Sequence, residues 1–249
     1  MKLSTDGLIL KEMSISDNDK LITILTRKEG VIRAFVKGAK NLKNKNAAAT
    51  QLLCYSRFTI YKGRDKYIID ESQLEELFFE LRGDIEKLSI AQYFCELCIS
   101  VIPEETYSED FLRLILNALF FLCKDKLDKE LVKSVVEMRL MSLSGYAPNL
   151  VCCKNCAKYE DKYMYFVTET GDLYCSSCFK ENTYKGLRID MGVLTALRHS
   201  IYSEFRNIFS FNLPCESKKN LSVVTEAYVC SRLEKTFRSL DFYTQIKAD

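Results

Sequence analysis

The chain has 249 residues, 47% of them apolar and 28% charged, with only three prolines and nine glycines. Those proportions fit a compact globular protein of more than one core and exclude collagenous, low-complexity and disordered classes. The net charge of +2 hides an asymmetry: residues 1–68 hold fourteen Lys and Arg against six Asp and Glu, and the remainder carries −6.

A basic head on an acidic body assigns any polyanion contact to the N-terminus, the bland alternative being a solvated lysine-rich surface. Residues 1–12 mix charge and apolar side chains with no signal-type core. The most apolar stretch, 111–123, is interrupted by Arg113 and Asn117 and is too short to span a bilayer. A cytoplasmic location is expected. Eleven cysteines, an odd number with several in apolar runs, suit a reducing compartment and one metal site better than a disulfide scaffold.

Five segments, 5–12, 20–27, 30–37, 52–62 and 66–71, are rich in Ile, Val, Thr, Phe and Tyr and predict strands. Lys28-Glu29-Gly30 and Gly63-Arg64-Asp65 are natural hairpin loops between them. Five strands in so short a stretch predict a small closed barrel, OB-like or SH3-like. The segment 38–50 carries Lys40, Lys43 and Lys45 with almost no apolar anchor and is expected to be mobile.

From Arg82 the apolar period changes to three or four residues, through Ile85, Leu88, Ala91, Cys95, Cys98 and Ile102, with Pro103 as the stop. Ser108 is a candidate cap for a second helix through Phe111, Ile115 and Leu122; Asp128 opens a third that ends at Gly145. Helical pattern resumes at 191–203 and again from 222 to about 239. No internal repeat is present.

Between these helices lies Cys153-x2-Cys156, eighteen intervening residues, then Cys175-x2-Cys178. Each pair brings two thiolates to one side of a metal, and segments 162–168 and 172–174 predict a hairpin that returns the chain to complete the tetrahedron. A closed four-thiolate site leaves no position for an activated water, so a structural Zn2+ is expected. The rival, a redox dithiol, lacks a thioredoxin-like βαβ context. Cys152 is the weaker ligand candidate. Cys95-x2-Cys98 lies mid-helix and reads as core packing. His199, the one histidine, reads as a surface or capping side chain. With no phosphate-binding glycine loop and no Ser–His or Cys–His arrangement, the chain is not expected to be an enzyme.

The helix exit Glu137-Met138-Arg139-Leu140, followed by Gly145-x-x-Pro148-x-Leu150-x-x-Cys153-x-x-Cys156, resembles the RecO family of bacterial recombination mediators. Gly7-Leu8-Ile9-Leu10, Val36-Lys37-Gly38-Ala39-Lys40 and Lys235-Thr236-Phe237-Arg238-Ser239-Leu240 extend the likeness over most of the chain. The resemblance implies an α+β protein. An N-terminal OB barrel that binds DNA (1–80) would precede a helical domain (81–249) with an inserted four-cysteine zinc ribbon at about 148–182.

The resemblance also implies strand annealing on single- and double-stranded DNA. RecR and the acidic tail of single-strand-binding protein are the implied partners, RecA loading the outcome, and the nucleoid the location. One departure is Ala157, where the family usually has Gly.

On this reading Arg33, Lys37, Lys40, Lys43, Lys45 and Arg64 are the candidate DNA-binding cations. Phe35 and Tyr61 are possible stacking rings, with barrel core or rim the preferred placement. Arg198, Arg232, Lys235 and Arg238 are candidates to flank the acidic tail. The competing class is a zinc-ribbon adaptor or transcription-associated factor that never touches DNA.

Overall fold

The computed structural model describes residues 1–39, 44, 46–64 and 66–248. The chain packs as two compact units, Met1–Lys124 together with the chain from Phe237 onward, and Asp125–Thr236.

In the first unit, β1 (Lys2–Ser14), β2 (Lys20–Thr26) and β3 (Gly30–Val36) form a meander. A single turn of helix, α1 (Asn46–Ala49), leads to β4 (Cys54–Lys62) and β5 (Tyr67–Leu77). The strands close in the order β1-β2-β3-β5-β4, with β3 and β5 parallel and every other pair antiparallel. This is the OB order, so the choice between OB-like and SH3-like barrels that the sequence left open is resolved.

β1 serves both halves. Lys2–Leu8 pairs with β4 and Gly7–Ser14 with β2, and the register breaks between Ile9 and Lys11. A bulge there bends the strand, which is why Leu8, Ile9 and Leu10 are buried in succession. Ile22, Ile24, Ile32, Ala34, Phe58 and Ile60 fill the interior, and Cys54 packs among them as a small apolar group.

The β2–β3 turn is pinned to the segment after α2 (Ile85–Val101). Gly30 has φ +67°, and a Cβ there would lie 2.0 Å from the Pro103 carbonyl oxygen. Glu105 N–H donates to the Glu29 carbonyl and Ser108 N–H to that of Arg27. The Arg27 guanidinium grips Asp6 through two hydrogen bonds of 2.7 and 2.8 Å and also reaches Glu109. Arg27 holds the Asp6 carboxyl down at about 2.

Asp84 caps α2 through the N–H groups of Glu86 and Lys87. Ser108 sits at the cap position of α3 (Glu109–Cys123), but its hydroxyl donates to the Thr106 carbonyl; no side chain caps this helix, and Glu109 and Asp110 lie in its first turn. Cys95 and Cys98 are buried in α2, and burial pushes the Cys95 thiol up to about 12, in keeping with a packing role.

The second unit opens with α4 (Lys129–Leu143), capped by Asp128. A four-stranded sheet of β6 (Asn149–Cys153), β7 (Met164–Val167), β8 (Asp172–Cys175) and β9 (Leu187–Ile189) follows, in the order β6-β8-β7-β9. Its last strand lies past the expected ribbon end near 182. Then come α5 (Met191–Tyr202) and α6 (Cys215–Leu233).

The pattern from 222 to about 239 is not one helix. Glu234 adopts φ +49°, ending α6, and α7 (Arg238–Ala248) belongs to the first unit. There the Phe237 ring meets Tyr93 of α2 edge-on at 5.3 Å, and Glu96 accepts from the Ser239 hydroxyl at 3.0 Å.

The Glu137-x-Arg139-Leu140 stretch has a physical role that hydrophobic periodicity does not display. Lys133 of α4 is 0% exposed, with Nζ at 3.0 Å from Glu137, 3.1 Å from Glu226 and 3.4 Å from the Ser222 hydroxyl. The Thr225 hydroxyl also donates to Glu137 at 2.6 Å. Arg139 donates to the Ile201 carbonyl of α5. α4 thus clamps α5 and α6 through ions.

Breaking a buried ion pair by removing one partner costs about 3–5 kcal/mol. Lys133→Met leaves the buried Glu137 carboxylate without its cation, and the urea midpoint of the second unit is expected to fall correspondingly. An unchanged midpoint would remove this network from the account.

Candidate nucleic-acid interface and metal centre

In OB barrels the face across strands 2–3, with the loops β1–β2 and β4–β5, is the surface that meets oligonucleotides. Strand pairing here builds one continuous outward row. Met13 is opposite Leu21, Leu21 opposite Phe35, Phe35 opposite Ile68, Ile68 opposite Tyr61, and Tyr61 opposite Lys2. Met13 (50% exposed), Phe35 (38%) and Tyr61 (49%) stand in solvent, and Leu21 and Ile68 are half-buried. The exposure of the two rings rules out the core half of the core-or-rim expectation. Ile32, Ala34 and Val36 turn inward, so the pleat turns Arg33 and Phe35 outward.

Several of the barrel's cations are held by carboxylates, and several beside this row are not. Lys2, Lys20, Arg27, Arg57 and Lys62 are all paired with carboxylates. Arg33, Lys37, Arg64 and Lys66 are exposed and make no ion pair among the described residues. Phe35, Lys37, Lys66 and Ile68 line one shallow cleft with Asp19 and Val36. Asp19 Oδ1 accepts the Gly38 N–H at 2.8 Å and fixes the turn after β3. Lys40, Lys43 and Lys45 lie outside the described residues. Lys66 and Ile68 were not among the sequence candidates; the parallel β3–β5 register that brings them beside Phe35 has no local signal.

In the second unit the two CxxC turns converge. The four Sγ atoms of Cys153, Cys156, Cys175 and Cys178 all lie within 4.8 Å of one another, and Cys156 and Cys175 are 3.6 Å apart. The edge of a tetrahedron with Zn–S bonds of about 2.3 Å is about 3.8 Å, so these residues can hold a metal ion and are compatible with zinc.

Side by side, four thiols resist ionising together. Hydrogen bonds with Cys175 and Cys156 push Cys178 up to about 12. Burial opposes ionisation of Cys153, yet backbone hydrogen bonds at Cys175, Cys156 and Asn155 hold it at about 6. A divalent cation relieves the repulsion.

Asp161 joins the two turns, accepting from the Ser176 hydroxyl at 2.6 Å and its N–H at 3.1 Å while pairing with Lys158. These contacts hold its carboxyl well below the usual range.

Of the residues expected to flank a partner's tail, Arg198 does not project freely. Its guanidinium donates to the carbonyls of Leu150, Val151 and Tyr159 and stacks on the Tyr159 ring at 4.0 Å, tying α5 to the ribbon. Arg232 donates to the Glu169 carbonyl at 3.1 Å. Lys235 is exposed in the same unit, whereas Arg238 is exposed in the first unit. His199 Nε2 lies 2.7 Å from the Asn207 carbonyl oxygen, in line with a capping role.

Ala157 has φ +58° and donates its N–H to the Cys153 carbonyl at 2.9 Å. An L-residue in this left-handed region costs about 1 kcal/mol relative to glycine. Metal binding is coupled to folding of the site, so Ala157→Gly is expected to tighten metal retention roughly threefold to fivefold in a chelator competition. Weaker retention would show that the turn is not strained.

Family models described as Recombination protein O N terminal and Recombination protein O C terminal match residues 1–78 and 82–241. A DNA repair protein RecO of Acetivibrio thermocellus is 35% identical over 96% of this chain and 95% of its own length. Proteins of the same name from Symbiobacterium thermophilum and Alkaliphilus metalliredigens are each 27% identical, over 98% and 99% of this chain and 98% and 100% of their own lengths. With both halves matched by the family's models and a relative 35% identical over nearly the whole chain, the chain belongs to the RecO family.

Proposed function

We propose that this protein is a DNA-repair and recombination mediator whose barrel binds DNA strands and anneals complementary ones. The observation that carries the proposal is the outward row through Phe35, Ile68 and Tyr61, bordered by the unpaired cations Arg33, Lys37, Arg64 and Lys66. Rings accept stacked bases without sequence preference, and cations alongside neutralise phosphates. The loop lysines Lys40, Lys43 and Lys45 would extend the cationic border. Annealing makes and breaks no covalent bond. Neutralising two strands lowers their repulsion, and base pairing selects the product.

Membership in the family supports RecR and the acidic tail of single-strand-binding protein as partners, with loading of RecA onto coated strands as the outcome. Of the expected flanking cations, Arg232 and Lys235 lie exposed in the second unit and are the candidates there for such a tail. Zn2+ held by the four cysteines would act as a structural clamp, since four thiolates leave no coordination position for water.

A fluorescence-quenching annealing assay, run without nucleotide at two salt concentrations, separates this reading from a protein-only adaptor. Neutralising about six phosphates on single strands gives a log K against log salt slope near −4. Replacing both Arg33 and Lys66 by glutamine is expected to flatten that slope by about 1.4. A slope near zero in the wild type, or one unchanged in the variant, contradicts the proposed face.

A further inference from the structure

The ribbon has an inner and an outer face with different chemistry. Along β7, Met164 and Phe166 turn inward, and Phe166 packs against Tyr228 of α6 with ring centroids 5.3 Å apart. Tyr165 turns outward, where it lies opposite Tyr174 on β8 and Arg188 on β9. The stretch between β8 and β9 folds back over that row. Phe179 stacks flat on Tyr165 at 4.0 Å with an interplanar angle of 0°, and Tyr184 stacks on Tyr174 at 4.6 Å. The return passes close at Gly186, where a Cβ would fall 2.6 Å from the Phe179 ring and displace it. Beside these stacks the Arg188 guanidinium lies 3.5 Å from the centroid of the Tyr163 ring, with Lys162 Nζ at 5.6 Å.

Packing among the rings explains why Tyr174 is buried and the others half-buried, but it does not explain the charges. Elsewhere in the ribbon cations have carboxylate partners, as in Lys154–Asp172, Lys158–Asp161 and Arg198–Glu160. On the outer face Lys162, Lys180, Lys185 and Arg188 are exposed and unpaired among the described residues. The acids on the same stretch that lack such partners are Glu169, at the hairpin turn, and Glu181. An aromatic surface whose exposed cations outnumber its carboxylates is complementary to a ligand with flat rings joined by anionic groups.

We propose that the outer face of the ribbon is a second contact for single-stranded nucleic acid, with bases against Tyr163 and the Tyr165–Phe179 stack and phosphates against Lys162, Lys185 and Arg188. The contact is separate from the barrel face and does not depend on it. A strand crossing this face meets the Tyr163-stacked Arg188 guanidinium and exposed ammonium groups beside it, which suits backbone contact without sequence preference.

The test uses the full-length, metal-loaded protein and a bromodeoxyuridine-substituted oligothymidine. Photocrosslinking followed by peptide mass spectrometry reports which rings touch bases. Adducts on Tyr163, Tyr165 or Tyr184 are expected, and they should persist when the barrel face is altered by Phe35→Ala. Adducts confined to barrel peptides overturn the ribbon contact while leaving the barrel reading intact. Adducts confined to the ribbon overturn the barrel reading instead, and absence of adducts anywhere overturns both.

A second variant, Lys162→Gln/Lys185→Gln, alters only exposed side chains, and its metal content checks that the ribbon is folded. Its salt slope for oligothymidine binding is expected to be shallower than wild type by about 1.4. An unchanged slope, with loss of binding to an acidic peptide instead, would assign the face to a protein partner and overturn the proposal.

Discussion

The barrel closes on one short parallel seam. β3 and β5 share two register pairs, Ala34 with Tyr67 and Phe35 with Ile68. Strand pleating splits them: Ala34 and Tyr67 turn into the core, while Phe35 and Ile68 turn out. A slip of one residue at that seam would bury Phe35 and expose Ala34, and the apolar row that runs from Met13 to Tyr61 would be cut in the middle. The outer surface of the barrel therefore depends on the same two pairs that close its interior. The Arg27 grip on Asp6 and Glu109 and the close passage of Gly30 beneath Pro103 hold the neighbouring β2–β3 turn against the helical part of the same unit.

The second unit solves a different problem. Its sheet strands are three to five residues long, too little to bury a core of their own. Two polar devices make up the difference. A four-thiolate cluster ties both ends of the β7–β8 hairpin, with Asp161 bridging one turn to the other. Lys133, buried between two carboxylates, joins α4 to α6. Such ions add less net stability than apolar packing of equal volume, but each demands one geometry, since any misplacement leaves a charge in low dielectric.

Much of this was legible in the residues, for identifiable reasons. Metal-ligand spacing is a local property, so Cys153, Cys156, Cys175 and Cys178 announce their convergence without a structure. Five strands with their hairpin glycines are likewise local, and so is the Asp128 cap of α4. Non-local facts were not legible. Strand order, and with it the distinction between barrel types, depends on the β3–β5 pairing of residues thirty-three apart in the chain. The outward placement of Phe35 is hidden because its neighbour Val31 is also covered, by the Pro103 segment, which blurs the alternation.

Other features lacked a local signature for their own reasons. The stop at Glu234 uses a left-handed residue that is not glycine or asparagine, so the helical period seemed to run on. Arg198 reads as a free surface cation on α5, yet three carbonyls of the ribbon region claim its guanidinium.

The central claim is that bases stack on the barrel's outer rings. The chain has no tryptophan, so Tyr61→Trp places a single indole at the end of the row, opposite Ile68. Titrating this variant with oligothymidine and following its emission tests the claim most directly. The account predicts quenching that saturates with strand binding and is reversed by salt. Emission that stays constant while an independent probe shows the oligonucleotide bound would contradict it.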